Sequence, residues 1–357
     1  MTSVFVGLFR FAFFVAAASL GFGAVFALFG FVSPLLDALN HLQPLWFFGT
    51  LLCLLLTGAA FRNQRSRALM LALSATGFLS SGIIVMPEVM SGFLDRPDAP
   101  PDAPAYRLVS FNLFGLNEDM HGVAEMIRAE NADIVALNEY FPEQRGTLHP
   151  LLIETHPHFA ICAGGKRANL AVYARMPFES LGGEPCSWDA DRRTGFLVAR
   201  FGADTGQSFT IVATQLDWPV QISPLLDGAP GGFLERLDGM TARQRGEFAH
   251  LAAGLQTLSG PLLLAGDLNA TPWSYALRRL ARDSRMVRET RNLPTFPLLW
   301  HFDTWRAVPA ILPLDHVMSR DGAIVTDVRT GPASGSDHLP VIVDFAVSAE
   351  AVPASGA

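Results

Sequence analysis

Three long uncharged stretches crowd the first ninety residues and leave that part of the chain few folding options. Phe11 to Val32 runs 22 residues without a charge, Leu45 to Phe61 runs 17, and Ala68 to Pro87 runs 20. About 20 apolar residues in a helix cross the hydrocarbon of a bilayer. Inside lipid every backbone N–H and C=O must find its partner within the segment, which makes such spans helical. Each stretch is apolar on all sides rather than along one stripe, which argues against a water-soluble bundle. The length of the first run, and the two spans that follow it, argue against a cleaved leader.

Arginine placement sets the orientation. Arg10 precedes the first span, Arg62, Arg65 and Arg67 lie between the second and third, and Ser33–Pro44 holds no Lys or Arg. The positive-inside rule then puts the N-terminus and the 62–67 loop in the cytoplasm. Everything after the third span is expected on the far side, periplasmic for a multi-pass inner-membrane protein. The expected domains are 1–90 with three transmembrane helices, a linker at 91–104, a soluble domain at 105–348 and a tail at 349–357. From Gly92 to Pro104 there are four prolines and three aspartates, a composition that favours an extended, stiff spacer.

The soluble part is punctuated by five polar patches: SFNLFG (110–115), DIVALNEY (133–140), AGDLNATP (265–272), LDHVMS (314–319) and GSDHLP (335–340). Each follows or closes an apolar run of strand length and puts an Asn, Asp, Glu or His at its end. Side chains leaving strand ends on one sheet edge can converge. Two amides, four carboxylates and two histidines meeting there would hold a hard divalent cation and activate a water. Asp267 and Asn269 lie two apart, so an extended chain points them the same way. Asp315 is expected to orient His338, leaving Asp337 for a metal or the attacking water.

In this order the patches resemble the endonuclease/exonuclease/phosphatase superfamily, in SFN, LNE (commonly LQE in the family), GDLN, LDH and GSDH, over roughly Ala103 to Val347. The resemblance implies an α/β fold, a four-layer sandwich of two packed mixed β-sheets flanked by helices, here preceded by three transmembrane helices. It implies hydrolysis of phosphodiesters or phosphomonoesters with Mg²⁺ or Mn²⁺ as cofactor. Carried over by motif, Glu139 is the direct metal ligand with Asn112 close by. Asp267 and Asn269 position the nucleophilic water and a phosphate oxygen. Asp315 and His338 form a dyad at the phosphate, beside Asp337 at the metal.

One position departs from that pattern. Many members carry a His in a Thr-His-Leu motif where FTIVATQLDWP (209–219) has Gln215. Gln donates a hydrogen bond, which suits a phosphate oxygen, but has no titratable proton for a leaving group. The alternative reading is therefore a catalytically weak module that binds phosphoryl ligands.

Charge bears on the substrate. The chain carries −7. Residues 1–90 hold four Arg against Asp37 and Glu88, a balance of +2 that leaves −9 for the remainder. A negative domain repels long nucleic acid unless a local basic stripe intervenes. Arg278, Arg279, Arg282, Arg285, Arg288 and Arg291 are the one candidate stripe, so nucleic acid and phospholipid both stay open as partners. No protein partner can be inferred. Arg243 is expected to open a helix from about Thr241 to Leu258, where a phosphate could be met. Phe296 and Trp300, around Pro294–Pro297, are expected to line the cleft, and Pro219–Gly232 to loop at its mouth. Cys162 and Cys186 lie on the oxidising side; whether they pair is not set by their spacing.

Overall fold

The computed structural model describes residues 2–60, 66–162, 169–181, 195–203, 208–221, 232–297, 299–301 and 305–348. By compactness the chain forms two units. One comprises Met1–Phe93, Pro219–Arg243 and Thr271–Arg278; the other comprises Leu94–Trp218, Gln244–Ala270 and Arg279–Ala357.

The first unit is helical: α1 (Thr2–Ala27), the short α2 (Pro34–Ala38), α3 (Gln43–Ala60) and α4 (Arg67–Ser91). Among the described residues, three segments are long and apolar enough to cross a membrane: Phe5–Phe31, Pro34–Gly58 and Arg67–Ser91. Ser33 ends the first by accepting the Leu35 N–H at 3.2 Å, with Pro34 starting α2, a capped helix start. A Cβ on Gly77 would fall 2.8 Å from the Gly21 Cα, so α1 and α4 meet backbone to backbone, as small residues permit in lipid. The outward faces are apolar: Phe11 is 68% exposed, Phe48 65% and Ile83 70%. Exposed apolar surface of this kind marks a face that is covered by lipid or by another protein surface.

The second unit holds two sheets. The first is built from β1 (Ala105–Asn112), β2 (Ile134–Asn138), β3 (His158–Cys162), β4 (Leu170–Ala174), β13 (Ala323–Thr330) and β14 (Val341–Val347), in the order β13-β14-β1-β2-β4-β3. The second is built from β5 (Phe178–Leu181), β6 (Phe196–Phe201), β7 (Phe209–Gln215), β8 (Leu262–Asp267), β9 (Val287–Arg288) and β12 (Asp315–Arg320), in the order β5-β6-β7-β8-β12-β9. β10 (Leu299–His301) pairs with β11 (Trp305–Ala307) as a separate ribbon. Both sheets are mixed, with β1–β2 and β7–β8 as parallel pairs near their centres.

Strand alternation builds the layers. Leu108, Ile134 and Ala136 face the shared core with Ile211, Leu263 and Val317. Their neighbours Val109, Val135 and Leu137 face the opposite side, where Val123 and Ile127 of α5 (Met120–Ala129) and Leu148 of α6 (Pro142–Ile153) cover them. Period-2 alternation along a strand requires that split. α7 (Phe233–Gln256) lies over the second sheet, close enough that a Cβ on Gly254 would sit 2.8 Å from the Phe196 ring. α8 (Tyr275–Asp283) follows β8. The result is the expected four-layer α/β sandwich.

The structure corrects one helix boundary. α7 begins at Phe233, so Arg243 sits in mid-helix and exposed rather than at an N-terminus. The sequence FLERLDGM is rich in strong helix formers, and the Asp238-Gly239 pair does not interrupt it. Most of Pro219–Gly232, and Cys186, lie outside the described residues. Cys162 is disulfide-bonded, whereas Cys53 is a free thiol in α3.

Candidate active site

Register lines up the chemistry. In the second sheet Gln215 pairs with Asp267 across β7–β8, and Asp267 pairs with Asp315 across β8–β12. Three adjacent strand ends thus carry a row of polar side chains. β8 gets this close to β7 because position 266 is glycine: its φ is 149°, and a Cβ there would lie 1.8 Å from the Thr214 carbonyl oxygen. In the first sheet Asn112 ends β1 opposite Asn138 at the end of β2. Asn138 ties the two sheets together, donating Nδ2 to Thr214 O at 2.8 Å and accepting the Asp267 N–H at 3.4 Å.

Asp267 is buried and accepts three donors: the Asn269 N–H at 2.8 Å, Asn269 Nδ2 at 3.0 Å and Asn112 Nδ2 at 3.0 Å. Burial pushes its carboxyl up to about 7; the His338 charge opposes this and the Asp315 charge adds to it. Asn269 also gives Nδ2 to Leu216 O at 2.9 Å, while its Oδ1 is buried with no partner. Glu139 lies half-buried, accepting Gln215 Nε2 at 2.8 Å and Asn112 Nδ2 at 3.4 Å on Oε1, and the Gly115 N–H at 3.0 Å on Oε2. Glu139 and Asn269 have φ of 55° and 47°. Left-handed backbone costs a non-glycine residue about 1–2 kcal/mol and persists where its surroundings over-determine it, commonly at functional sites.

His338 Nδ1–H donates to Asp315 Oδ2 at 2.7 Å. Both side chains are buried, and Asp337 Oδ1 lies 4.0 Å from His338 Nε2. Burial alone would lower the imidazole, but Asp315, by charge and hydrogen bond, and Asp267 and Asp337 behind it, raise it to about 10. The imidazole is therefore cationic at neutral pH. Asp337 is pushed up to about 6, chiefly by burial. Asp267, Asp315 and His338 bring ligand-capable atoms within 4.8 Å of one another. The Phe296 ring lies 4.8 Å from the His338 ring and 5.3 Å from Trp218. Trp300's side chain lies outside the described residues.

Several sequence assignments change at this point. His316 does not join the cluster: period-2 alternation turns it away from Asp315. It is buried, hydrogen-bonds Ala270 O at 2.7 Å through Nε2 and Thr290 Oγ1 at 3.0 Å through Nδ1, and burial lowers it to about 3. Gln215 directs its amide nitrogen at Glu139 rather than outward, because the carboxylate is the nearest strong acceptor. Asn112 turns its Nδ2 to the two acids, since its Oδ1 accepts the Phe114 N–H at 3.0 Å; it bridges them instead of offering an oxygen. Two contributors went unassigned in the sequence. Asn138 was hidden inside an apolar strand run. Ser336 donates to Asn112 O at 2.7 Å and accepts the His338 N–H at 3.0 Å, joining the β1 end to the His338 loop.

The donor set suits a hard divalent cation. Four carboxylates (Glu139, Asp267, Asp315 and Asp337) supply charged oxygens, and the buried oxygens Asn269 Oδ1 and Gln215 Oε1 lack partners. An unsatisfied buried acceptor costs about 1–3 kcal/mol, so a bound ion or water there has a ready driving force.

Two mixed sheets packed between helices, with a carboxylate–histidine cluster on one rim, define the α/β sandwich of phosphoester hydrolases. The chain belongs to the Endonuclease/Exonuclease/phosphatase family, whose model matches residues 109–338. Its fold resembles crystal structures of family proteins from Bacteroides vulgatus (19% identity, 69% of this chain and 100% of that one, TM-score 0.50) and Bacteroides thetaiotaomicron (17%, 69% and 99%, 0.49). It also resembles one from Beutenbergia cavernae (17%, 68% and 72%, 0.49). No curated protein matches in sequence.

Proposed function

We propose that the protein is a divalent-metal-dependent phosphoesterase, anchored in a membrane by its N-terminal helices, with its catalytic domain on the extracytoplasmic side. Family membership supports hydrolysis of phosphoester bonds. The observation that carries the reading is the Asp315–His338 pair at 2.7 Å beside Asp267. Glu139 and Asp337 would hold Mg²⁺ or Mn²⁺. Such a cation, when bound, polarises a phosphate oxygen and offsets charge on the leaving oxygen.

The residues divide the remaining work. Asp267 takes the proton of the attacking water, since its raised pKa suits a base near neutral pH. Asn269 Oδ1, buried without a partner, accepts a hydrogen bond from that water and aligns it. His338, already cationic, donates to the phosphoryl oxygens and stabilises their growing charge. Asp315 holds the ring and its charge.

The substrate is a small or lipid phosphoester in preference to long nucleic acid. Part of the arginine run is engaged within the protein: Arg279 and Arg282 share Asp283 at 3.0 and 3.5 Å, and Arg291 pairs with Glu289 at 3.9 Å. Arg288 donates to Thr290 O. The test uses the full chain in nanodiscs with Mg²⁺ or Mn²⁺. Its substrates are an aryl phosphodiester, phospholipid vesicles, single-stranded DNA and duplex DNA. Hydrolysis that disappears with chelator and in His338→Ala supports the reading. Hydrolysis unaffected by chelator sinks the metal, and cleavage of DNA alone reverses the substrate preference.

A further inference from the structure

The N-terminal helical unit contains a chain of buried polar side chains that ends on the segment just beyond the catalytic Asn269. Asp37 Oδ1 accepts the Tyr275 N–H at 2.6 Å, and its Oδ2 accepts the Ala276 N–H at 2.9 Å and the Ser274 hydroxyl at 3.3 Å. The start of α8 is therefore capped by a residue 238 positions earlier. A carboxylate there satisfies orphan N–H groups and complements the helix dipole. His41 Nδ1 accepts the Thr271 N–H and meets the Thr271 hydroxyl, both at 3.2 Å. Behind Asp37, Asn40 Nδ2 donates to Asp37 Oδ1 at 2.9 Å, Gln43 Nε2 donates to Asn40 Oδ1 at 2.9 Å, and Ser81 Oγ donates to Gln43 Oε1 at 2.5 Å. Asn40, Gln43 and Ser81 are fully buried.

A plain anchor needs none of this. Polar groups buried among apolar membrane helices are costly and mark function, and this series leads from α4 to residues 271–276. Thr271 is two residues along the chain from Asn269, and between them the Ala270 carbonyl accepts a hydrogen bond from His316 Nε2. The loop thus has fixed points at Asp267, Asn269, Ala270, Thr271, Tyr275 and Ala276. Asn269 holds a left-handed φ of 47°, which lasts only while its flanks are constrained.

We propose that Asp37 and His41 are positioning residues: by pinning Thr271 and the start of α8 they constrain, along the chain, the adjoining segment that carries Asp267 and Asn269. This rests on the roles proposed for Asp267 and Asn269, and its test includes a readout that needs no activity. The full chain in nanodiscs is compared with Asp37→Ala, Asp37→Asn, His41→Leu, His41→Asn and the control Thr57→Ala, a buried α3 hydroxyl with no partner. Backbone hydrogen exchange is followed in chelator, Mn²⁺ affinity is titrated, and kcat and KM are measured on an aryl phosphodiester.

In Asp37→Ala and His41→Leu, exchange at 268–271 should accelerate and Mn²⁺ affinity should fall. Their kcat should drop about 10- to 100-fold with little change in KM, the scale of a catalytic group displaced by an ångström. His41→Asn, which keeps an acceptor in place of Nδ1, should restore most of the loss, and Thr57→Ala should match wild type. Faster exchange confined to Tyr275 and Ala276, or faster exchange at 268–271 with unchanged kcat, overturns the proposal. If Asp37→Ala does not fold, Asp37→Asn and the His41 pair decide. If wild type cleaves no phosphoester, the functional reading fails, while exchange and Mn²⁺ affinity still judge the positioning role.

Discussion

Gln215 Nε2 donates to Glu139 Oε1 at 2.8 Å, so the residue that departs from the family pattern supports an acid rather than facing a substrate. Partners of a metal-binding carboxylate orient it and tune its affinity. Gln215→Leu should raise the Mn²⁺ concentration for half-maximal activity about 10- to 100-fold, with a much smaller change in kcat at saturating metal. A metal titration checks this; an unchanged half-saturation point would remove Gln215 from any supporting role.

Asp315 sets the charge on His338, which its carboxylate and its neighbours hold at a pKa of about 10. The cationic imidazole is the working form, so activity is lost as pH rises through that value. Asp315→Asn removes the largest raising influence. The alkaline limb of its kcat profile should move to lower pH, and kcat should fall about 10²- to 10⁴-fold at neutral pH. A pH–rate profile with its alkaline limb in the wild-type position would show that Asp315 does not hold the proton on His338.

Asp267 is raised from 3.8 to about 7 in the folded, metal-free protein. Between these values the folded chain binds more protons than the unfolded chain, so the Asp267 contribution to stability falls as pH rises across that window. Asp267→Asn should therefore melt higher than wild type in chelator at pH 8, and this advantage should vanish near pH 4. The same variant should be inactive. Thermal melts at the two pH values test it, and an advantage that grows toward acid would reverse the assignment.

Orientation is open to a direct check. With the N-terminus and the 62–67 loop read as cytoplasmic, a reporter fused after Ala357 should work only outside the cytoplasm, and one inserted at 62–67 only inside. The opposite pattern would mean that arginine placement does not set this topology.

Sequence alone determined the three apolar helices, because hydropathy and length are local properties that need no partner. It also determined the strands β1, β2, β8 and β14 beside the polar patches, whose apolar runs announce burial on both faces, and the polar residues at their ends. Short or half-exposed elements were not legible. β3 and β5 lie at sheet edges and carry mixed faces, and β13 is broken by a register shift between Val325 and Asp327. Asp315 and His316 are adjacent in one motif, and only the side of the strand each occupies separates a dyad partner from a loop pin. Tertiary structure likewise decided that Gln215 meets Glu139 from 76 residues away and that Asp37 caps a helix from 238. Residue pattern reports how each segment wants to be buried; which polar groups then satisfy one another depends on register and packing between segments far apart in the chain.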